Sequence, residues 1–418
     1  MAKIQAIVLA LALASGAAIA GDTASRDIEE ADHQFFAGHF SEAETLYRAV
    51  APTSTDYKSA LRQLGTIALY ENRLDDAERE LRSALAGPDH DTKIYALLAE
   101  IASRRGRFAD ARGWLEMAGK PDRAAAYGEY SKTKPPYRIV SAAKRGRIPF
   151  VQTDPLPAVE ALVNGRKGLF LIDTGGAEIV LDPAFASAAG VAAVGKGNGI
   201  FAGGRTAGIS FGRIAKFSLS PLVVADVPAM LLSTVGFSGA AGGKPVAGVI
   251  GTQFLSRFMA TLDYPHGALV LEPRDAAAPQ GGIAIPFWLV RDHFIVAHGT
   301  LDGGAEQLFL VDSGLAGFAF TAPVSTLQAA GLGLPPPPTA PSGAPVGQST
   351  AMPFAIRALT LGDLKAENLN GLNGPFPPSL ETSLGVHIGG IVSHAFLRPY
   401  AVTFDFVGMK IIARKTQT

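Results

Sequence analysis

The first part of the chain places apolar residues at helical spacing, and the pattern repeats. The segments 38–43, 72–77 and 106–111 align with one another and lie 34 residues apart. Each begins with Gly or Asn and ends with Ala, and a Tyr or Leu follows four positions later on the same helix face. This periodicity predicts stacked pairs of helices over residues 21–130.

A 34-residue period of this kind resembles the tetratricopeptide repeat. The resemblance implies an all-α solenoid over 21–130, made of two full repeats and the second helix of an earlier one. Such an array either binds a protein partner or a peptide along its groove, or serves as a packing platform for the rest of the chain. The sequence leaves both roles open, because the motif specifies a fold and not a ligand.

From residue 148 onward, the helical spacing gives way to short apolar runs rich in β-branched and aromatic residues, separated by Gly, Pro and Asn. This region also repeats itself. The matching segments are 148–151 with 285–288, 248–255 with 390–397, and 260–264 with 402–406. The offset drifts only from 137 to 142 residues, so we predict two copies of one β fold, lobe 1 (148–278) and lobe 2 (279–418). Residues 131–147 are predicted to form a basic, proline-containing linker.

Each lobe contains an apolar strand pattern that ends in an aspartate, a small hydroxyl residue and a glycine. The two stretches are 168–176 and 307–315, and their aspartates are Asp173 and Asp312. A buried strand normally excludes a carboxylate, because removing a charge from water is costly unless the charge is paired. Two strands that each deliver an aspartate into a tight turn therefore indicate a site in which two carboxylates face each other.

The order of hairpin, Asp-Thr/Ser-Gly turn and apolar-apolar-Gly segment resembles that of retropepsin-like and pepsin-like aspartic proteases. The resemblance covers residues 148–418 and implies an all-β, two-lobed acid-protease fold, in which a monomer suffices for the active site. It implies that Asp173 and Asp312 are the catalytic residues, and that the loops at 195–208 and 335–347 stand where the family has its flaps. It also implies four residues that support the geometry of the dyad: Thr174, Gly175, Ser313 and Gly314.

Two close carboxyl groups can activate water and protonate a leaving nitrogen, provided that one is ionised and the other protonated. At close range both cannot ionise, so they share one proton and titrate as a pair. We therefore expect an aspartic-type endopeptidase that acts on polypeptides with no cofactor and no metal ion. The sequence does not assign which aspartate is the base.

Three positions depart from the family pattern. Gly176 and Leu315 follow the two turns, where the family usually has Ser or Ala, and Ser393 replaces the glycine that ends the apolar-apolar-Gly segment of lobe 2. These departures leave open an inactive scaffold protein that binds peptides through the interlobe cleft and the helical repeats. Neither Gly176 nor Leu315 can donate a side-chain hydrogen bond to a carboxylate, so an active pair should work nearer neutral pH than one flanked by serine.

Composition and the N-terminus limit which partners and chemistry are possible and indicate where the protein acts. The 418 residues carry no net charge, which argues against a nucleic acid partner, and contain no cysteine, which excludes disulfides and thiol catalysis. Lys3, the apolar run 4–13 and the small residues before Gly21 have the pattern of a secretory signal peptide over residues 1–20, cleaved after Ala20. We expect an exported protein, periplasmic in a Gram-negative bacterium, with no stable membrane insertion after cleavage; an uncleaved anchor is the alternative.

Overall fold

The structure is a computed structural model, and it describes most of the chain beyond the N-terminus. The predicted signal peptide and the predicted lobe 2 flap at 335–347 lie outside the described residues. No helix within the described part is long and apolar enough to cross a membrane. The described residues are 28–85, 90–131, 134–201, 205–333, 352–373 and 378–415.

The N-terminal part is helical, as the repeat predicts, and we call residues 28–127 the helical array. Consecutive helices pack in pairs, α3 with α4 and α5 with α6. The array consists of α1 (28–37), α2 (Phe40–Ala49), α3 (Tyr57–Tyr70), α4 (Leu74–Ala84), α5 (Thr92–Arg104), α6 (Phe108–Met117) and α7 (Pro121–Tyr127).

Small residues set the close approach of the paired helices. The repeated alanines Ala43, Ala77 and Ala111 are fully buried. A Cβ atom at Gly65 in α3 would lie 2.6 Å from the Cγ atom of Leu81 in α4, so no side chain fits there. The period seen in the sequence thus marks the positions where helix backbones touch.

The apolar face of the array is covered by the β region of the same chain. Helices α1 to α5 share one hydrophobic core with lobe 2, and α5 to α7 contribute to another that extends through both lobes. Hydrogen bonds cross the first boundary: Asn72 Nδ2 donates to the Phe406 carbonyl at 3.0 Å, and Arg104 Nη2 donates to the Leu289 carbonyl at 2.9 Å. The array and the lobes therefore bury apolar surface together.

Lobe 1 closes into a barrel. Strands β8, β5, β9, β4, β3 and β7 are neighbours in that order, and β7 pairs back to β8 to complete six strands. Within the described residues, the predicted flap segment contributes to β6 and β7, which pair antiparallel. The strands are β1 (Arg138–Ile139), β2 (Gly146–Pro149), β3 (Ala158–Val163), β4 (Arg166–Ile172), β5 (Ile179–Leu181), β6 (Val194–Phe201), β7 (Arg205–Leu219), β8 (Leu222–Leu231) and β9 (Gly248–Ile250), with helices α8 (Pro183–Ala188) and α9 (Thr252–Leu255) and a 3-10 helix at Val235–Ala241.

Lobe 2 repeats the pairing pattern of lobe 1. In lobe 1, β4 runs parallel to β9, which pairs antiparallel with β5; in lobe 2, β15 runs parallel to β19, which pairs antiparallel with β16. Its sheet has the order β13-β14-β15-β19-β16-β18-β17. The strands are β13 (Trp288–Val290), β14 (Phe294–Gly299), β15 (Gln307–Asp312), β16 (Phe320–Ala322), β17 (Met352–Leu361), β18 (Leu364–Asn373) and β19 (Gly390–Ser393), with helices α10 (Val324–Ala329), α11 (Pro378–Leu384) and α12 (His394–Leu397).

A third sheet joins the two lobes. Its order is β12-β21-β20-β10-β11-β2, so three strands from the lobe 2 side and three from the lobe 1 side meet at its centre, where β20 pairs with β10. The duplicated segments meet there: Thr261 of β10 lies opposite Thr403 of β20, and their hydroxyl oxygens are 2.7 Å apart. The added strands are β10 (Phe258–Asp263), β11 (Ala268–Pro273), β12 (Ile283–Pro286), β20 (Ala401–Asp405) and β21 (Lys410–Arg414).

The predicted linker at 131–147 is largely tied to lobe 1. Strand β1 pairs with β8, and β2 begins at Gly146 inside the joining sheet. Arg138 contacts buried Asp226 at 2.6 Å, and Arg147 contacts Asp263 at 2.7 Å. Arg138 and Arg147 therefore pair with acids of the β region, which sequence order alone does not reveal.

We expect Gly65→Ala to lower the free energy of unfolding by about 1–3 kcal/mol, because the added methyl group overpacks the α3–α4 contact. Gly113→Ala in α6 is the matched control, since a Cβ atom there would meet nothing within 4 Å. It should be neutral or stabilising, as expected of alanine in an open helix position. Urea unfolding of the full chain measures both, and equal effects would contradict this account of the helix pairing.

Candidate active site

The two predicted aspartates lie at equivalent ends of two buried strands. Residues 170–172 of β4 and 308–311 of β15 are buried, which explains why these runs form central strands. Asp173 directly follows β4 and Asp312 is the last residue of β15, and both are partly exposed between the lobes. The fold therefore uses the apolar run to bring each carboxylate to the edge of the core.

The carboxyl groups face each other across the lobes. A Cβ atom at Gly175 would lie 2.6 Å from the Asp312 carboxyl carbon, and one at Gly314 would lie closer still to the Asp173 carboxyl. Each glycine thus lies against the aspartate of the opposite lobe. A side chain at either position would push the two carboxyl groups apart, so glycine is required here for close approach.

Backbone amides hold the carboxylates in orientation. The N–H groups of Gly175 and Gly176 donate to Asp173 Oδ1 at 2.8 and 3.1 Å. The N–H of Gly314 donates to Asp312 Oδ1 at 2.7 Å. Hydrogen bonds to a charged carboxylate are stronger than those between neutral groups, so the turns fix the side chains as well as the backbone.

The hydroxyl residues of the two turns exchange hydrogen bonds across the lobes. The Thr174 N–H donates to Ser313 Oγ at 3.0 Å, and the Ser313 N–H donates to Thr174 Oγ1 at 2.9 Å. Each hydroxyl then donates onward to the opposite strand, Thr174 to the Val311 carbonyl at 3.0 Å and Ser313 to the Ile172 carbonyl at 3.3 Å. Both side chains are fully buried, so this four-bond contact is shielded from water.

Burial raises the pKa of Asp312 well above its usual value, and the neighbouring Asp173 raises it further by its charge and by a side-chain hydrogen bond. The backbone amides of Gly314 and Gly175 act in the opposite direction but do not cancel these effects. A raised pKa means that a proton stays on the pair at pH values where an isolated aspartate has lost it. The two side chains can therefore hold one ionised and one protonated carboxyl.

Lobe 2 accommodates Ser393 in place of glycine. In lobe 1, a Cβ atom at Gly251 would lie 2.5–2.7 Å from the backbone of Ala177 and Glu178. In lobe 2, the Ser393 side chain fits, and its hydroxyl donates to the Phe318 carbonyl at 2.9 Å. This departure from the family pattern thus adds a hydrogen bond to the turn after Asp312.

The other two departures lie beside the carboxylates. Gly176 contributes its backbone N–H to Asp173, so the missing side chain leaves a backbone donor in place. Leu315 is partly exposed, and its carbonyl accepts a 3.4 Å hydrogen bond from the His394 N–H. The backbone on both sides of the cleft thus remains hydrogen-bonded.

One supporting residue was not singled out from the sequence. The Thr252 hydroxyl donates to the Thr174 carbonyl at 2.7 Å and is fully buried. Thr252 lies inside the repeated segment 248–255, and this repeat could have pointed to it in the sequence. Within the described residues, no group of three or more His, Asp or Glu side chains is arranged to hold a metal ion.

Residues 159–254 match the aspartyl protease family model. This segment contains Asp173, its turn and the β9–α9 segment that supports the turn, so lobe 1 carries the features of that family. Among solved structures, a retropepsin-like aspartic protease from Rickettsia conorii matches with 18% identity and a TM-score of 0.24, over 32% of this chain and 95% of its own. A search of curated proteins gave no match.

We expect Thr174→Val to lower the free energy of unfolding by about 1–3 kcal/mol, because it leaves the buried Ser313 N–H without its acceptor. Thr174→Ser is the matched control, since it keeps the hydroxyl and should cost clearly less. Urea unfolding of the full chain compares the two variants. Equal losses would show that the methyl group, and not the cross-lobe hydrogen bond, stabilises the junction.

Proposed function

We propose that this protein is an aspartic-type endopeptidase whose catalytic dyad is Asp173 and Asp312. The observation that supports this most directly is the arrangement of the two carboxyl groups, each lying against the glycine of the opposite turn. The raised pKa of Asp312 supports the proposal further, because it favours a proton on the pair. The match of residues 159–254 to the aspartyl protease family agrees with this chemistry.

The proposed reaction uses both protonation states of the pair. The ionised carboxylate removes a proton from water, and the water oxygen forms a bond to the carbonyl carbon of the peptide. The protonated carboxyl donates a hydrogen bond to the carbonyl oxygen as negative charge develops there. The pair, which now also holds the proton taken from water, then donates a proton to the amide nitrogen, and the C–N bond breaks. A carboxylic acid and an amine are released, and the pair again holds one proton.

We infer that the substrate is an extended polypeptide lying in the cleft between the lobes. The cleft lies at the junction of two β lobes, and an extended peptide can pair with strand edges by backbone hydrogen bonds. Strands β6 and β7 contain the segment predicted as a flap, and we propose that they cover the bound substrate. Since one chain supplies both aspartates, a monomer suffices for this reaction.

The helical array fits a tetratricopeptide-type fold that braces the lobes. Its shared cores with both lobes favour the role of a packing platform over that of a free peptide groove. A protein partner on its outer surface remains part of the proposal, as does export through the N-terminal signal peptide to a periplasmic location. Neither the partner nor the export enters the chemistry proposed above.

We expect Asp173→Asn and Asp312→Asn each to lower the rate of peptide cleavage by at least about a thousandfold, as losses of residues that act as a catalytic unit do. A peptide library with mass-spectrometric detection measures this on the full chain. Asp182→Asn is the matched control, because Asp182 caps α8 through the Ala184 N–H at 2.9 Å and asparagine also caps helices. Equal cleavage by wild type and Asp173→Asn would overturn the enzyme and leave a peptide-binding scaffold.

The raised pKa of Asp312 predicts how stability depends on pH. A carboxyl whose pKa is higher in the folded state stabilises the fold fully below the unfolded pKa of about 3.9, and this stabilisation is lost as pH rises through the folded pKa. We therefore expect the urea midpoint of the wild type to fall relative to that of Asp312→Asn as pH rises from about 4 through the folded pKa of Asp312. The cleavage rate should peak above about pH 4, where isolated carboxylates titrate; a peak below that value would contradict the assignment.

A further inference from the structure

An arginine of the helical array reaches the active-site loop of lobe 1. Arg123 lies in α7, the last helix of the array, and its Nη2 forms an ion pair with Glu178 Oε1. The guanidinium also lies 3.9 Å from Asp292 of lobe 2 and 4.9 Å from the ring centre of Phe211 in lobe 1. This one side chain therefore contacts the array and both lobes.

Glu178 belongs to the loop that carries Asp173. It lies five residues after that aspartate, immediately before β5. Its carbonyl accepts from the Gly251 N–H at 3.1 Å. The neighbouring carbonyls of Gly176 and Ala177 accept from the next two N–H groups of the same turn, each at 2.8 Å. The loop 173–178 is thus bonded along its length to the turn after β9, and its outer end is held by the Glu178 side chain.

A second path connects the same turn to Arg123 through lobe 2. Gln253, in the turn after β9, donates from Nε2 to Asp292 Oδ2 at 2.7 Å. Asp292 lies in the β13–β14 connection, and its pKa is lowered by the nearby His293 and Arg123, although burial opposes this. Arg123 therefore faces two carboxylates, one on the active-site loop and one that holds the supporting turn.

The ion pair is buried, which makes Glu178 depend on Arg123. The Glu178 side chain is 2% exposed, and its second oxygen, Oε2, has no hydrogen-bond partner among the described residues. Burial raises the pKa of Glu178, and the charge of Arg123 opposes that rise. Removing one partner of a buried pair is strongly unfavourable, because the remaining group is left charged and unpaired or must take up a proton. Without Arg123, the loop would lose its outer anchor.

We propose that Arg123 is a positioning residue for the Asp173–Asp312 pair, supplied to the protease lobes by the helical array. It acts through Glu178: the ion pair fixes the far end of the loop 173–178, and the loop fixes the direction of the Asp173 carboxylate. The proposal rests on the proposed function, since a dyad must hold its two carboxyls in register to share a proton. It assigns the helical array a part in the site itself, in addition to covering apolar surface.

The experiment measures kcat and KM on a peptide that the wild type cleaves, and the urea midpoint of unfolding, all with the full chain. It compares four variants: Arg123→Ala, Arg123→Lys, Glu178→Gln and the double variant Arg123→Ala with Glu178→Gln. Because misplacing a reacting group by about 1 Å can cost about a hundredfold, we expect Arg123→Ala to lower kcat at least about tenfold with KM little changed. Arg123→Lys should recover most of kcat. The double variant should regain stability, because no unpaired charge is left, but not kcat.

The control is Arg138→Ala, which removes one of the two arginines that pair with buried Asp226, the other being Arg213, outside the active-site loop. It should lower the urea midpoint without changing kcat or the pH profile of cleavage. If kcat followed the urea midpoint in every variant, or if the double variant regained kcat together with stability, Arg123 would have only a structural role and the proposal would be overturned.

A readout without catalysis separates this proposal from the proposed function. If the wild type cleaves no peptide, the endopeptidase assignment fails, but the carboxyl pair can still be titrated by NMR in protein labelled with carboxyl-13C aspartate. Asp173→Asn and Asp312→Asn assign the signals. A titration midpoint of the pair that shifts in Arg123→Ala and not in Arg138→Ala supports the positioning role. Unchanged titration in Arg123→Ala overturns it.

Discussion

Two carboxyl groups that face each other in a partly buried cleft repel strongly when both are ionised, because the surrounding protein screens their charges less than water does. The structure holds them together in spite of this repulsion. Thr174 and Ser313 exchange hydrogen bonds across the lobes, and Gly175 and Gly314 leave no side chain between the carboxyls. A proton retained on the pair relieves the repulsion, as the raised pKa of Asp312 indicates. The same proton is the one that the proposed reaction needs.

The joining sheet makes this contact possible in a single chain. Strands β10 and β20 pair at its centre, and the buried Thr261 and Thr403 hydroxyls meet there. Because each lobe contributes the same strands to the sheet, the two turns approach each other with related geometry. The lobes are nevertheless different in detail, since the turn after Asp312 gains a serine hydrogen bond where lobe 1 requires glycine. Departures from a family pattern therefore need to be judged by the contacts they make.

The helical array and the two β lobes form one unit in energetic terms. A short helical array has too few neighbouring helices to bury its apolar faces by itself. Here its faces are completed by strands of both lobes, and the two hydrophobic cores each contain helices and strands. The same packing carries Arg123 to Glu178, so a surface that stabilises the helices also connects them to the site. Stability and positioning depend on one interface.

The amino-acid sequence by itself determined the features that are local or periodic: the helical repeat, the duplication of the β region, and the two aspartates at strand ends. Each of these is carried by the spacing of residues along the chain, which hydrophobic patterning makes visible. Sequence reasoning also identified Thr174 and Ser313, through resemblance to a family. It did not show that the segment 131–147 joins two sheets, because its basic residues have partners more than eighty residues away.

The tertiary structure alone decided which distant groups meet and how they are charged. Arg123 lies on a short helix in a sequence context typical of an exposed residue, and Glu178 is 55 positions away. Only the docking of the array on the lobes buries both. The raised pKa of Asp312 has the same origin, because burial and the opposing carboxyl act through space between residues 139 positions apart. Desolvation and close charges depend on packing, and packing between distant segments leaves no period in the sequence.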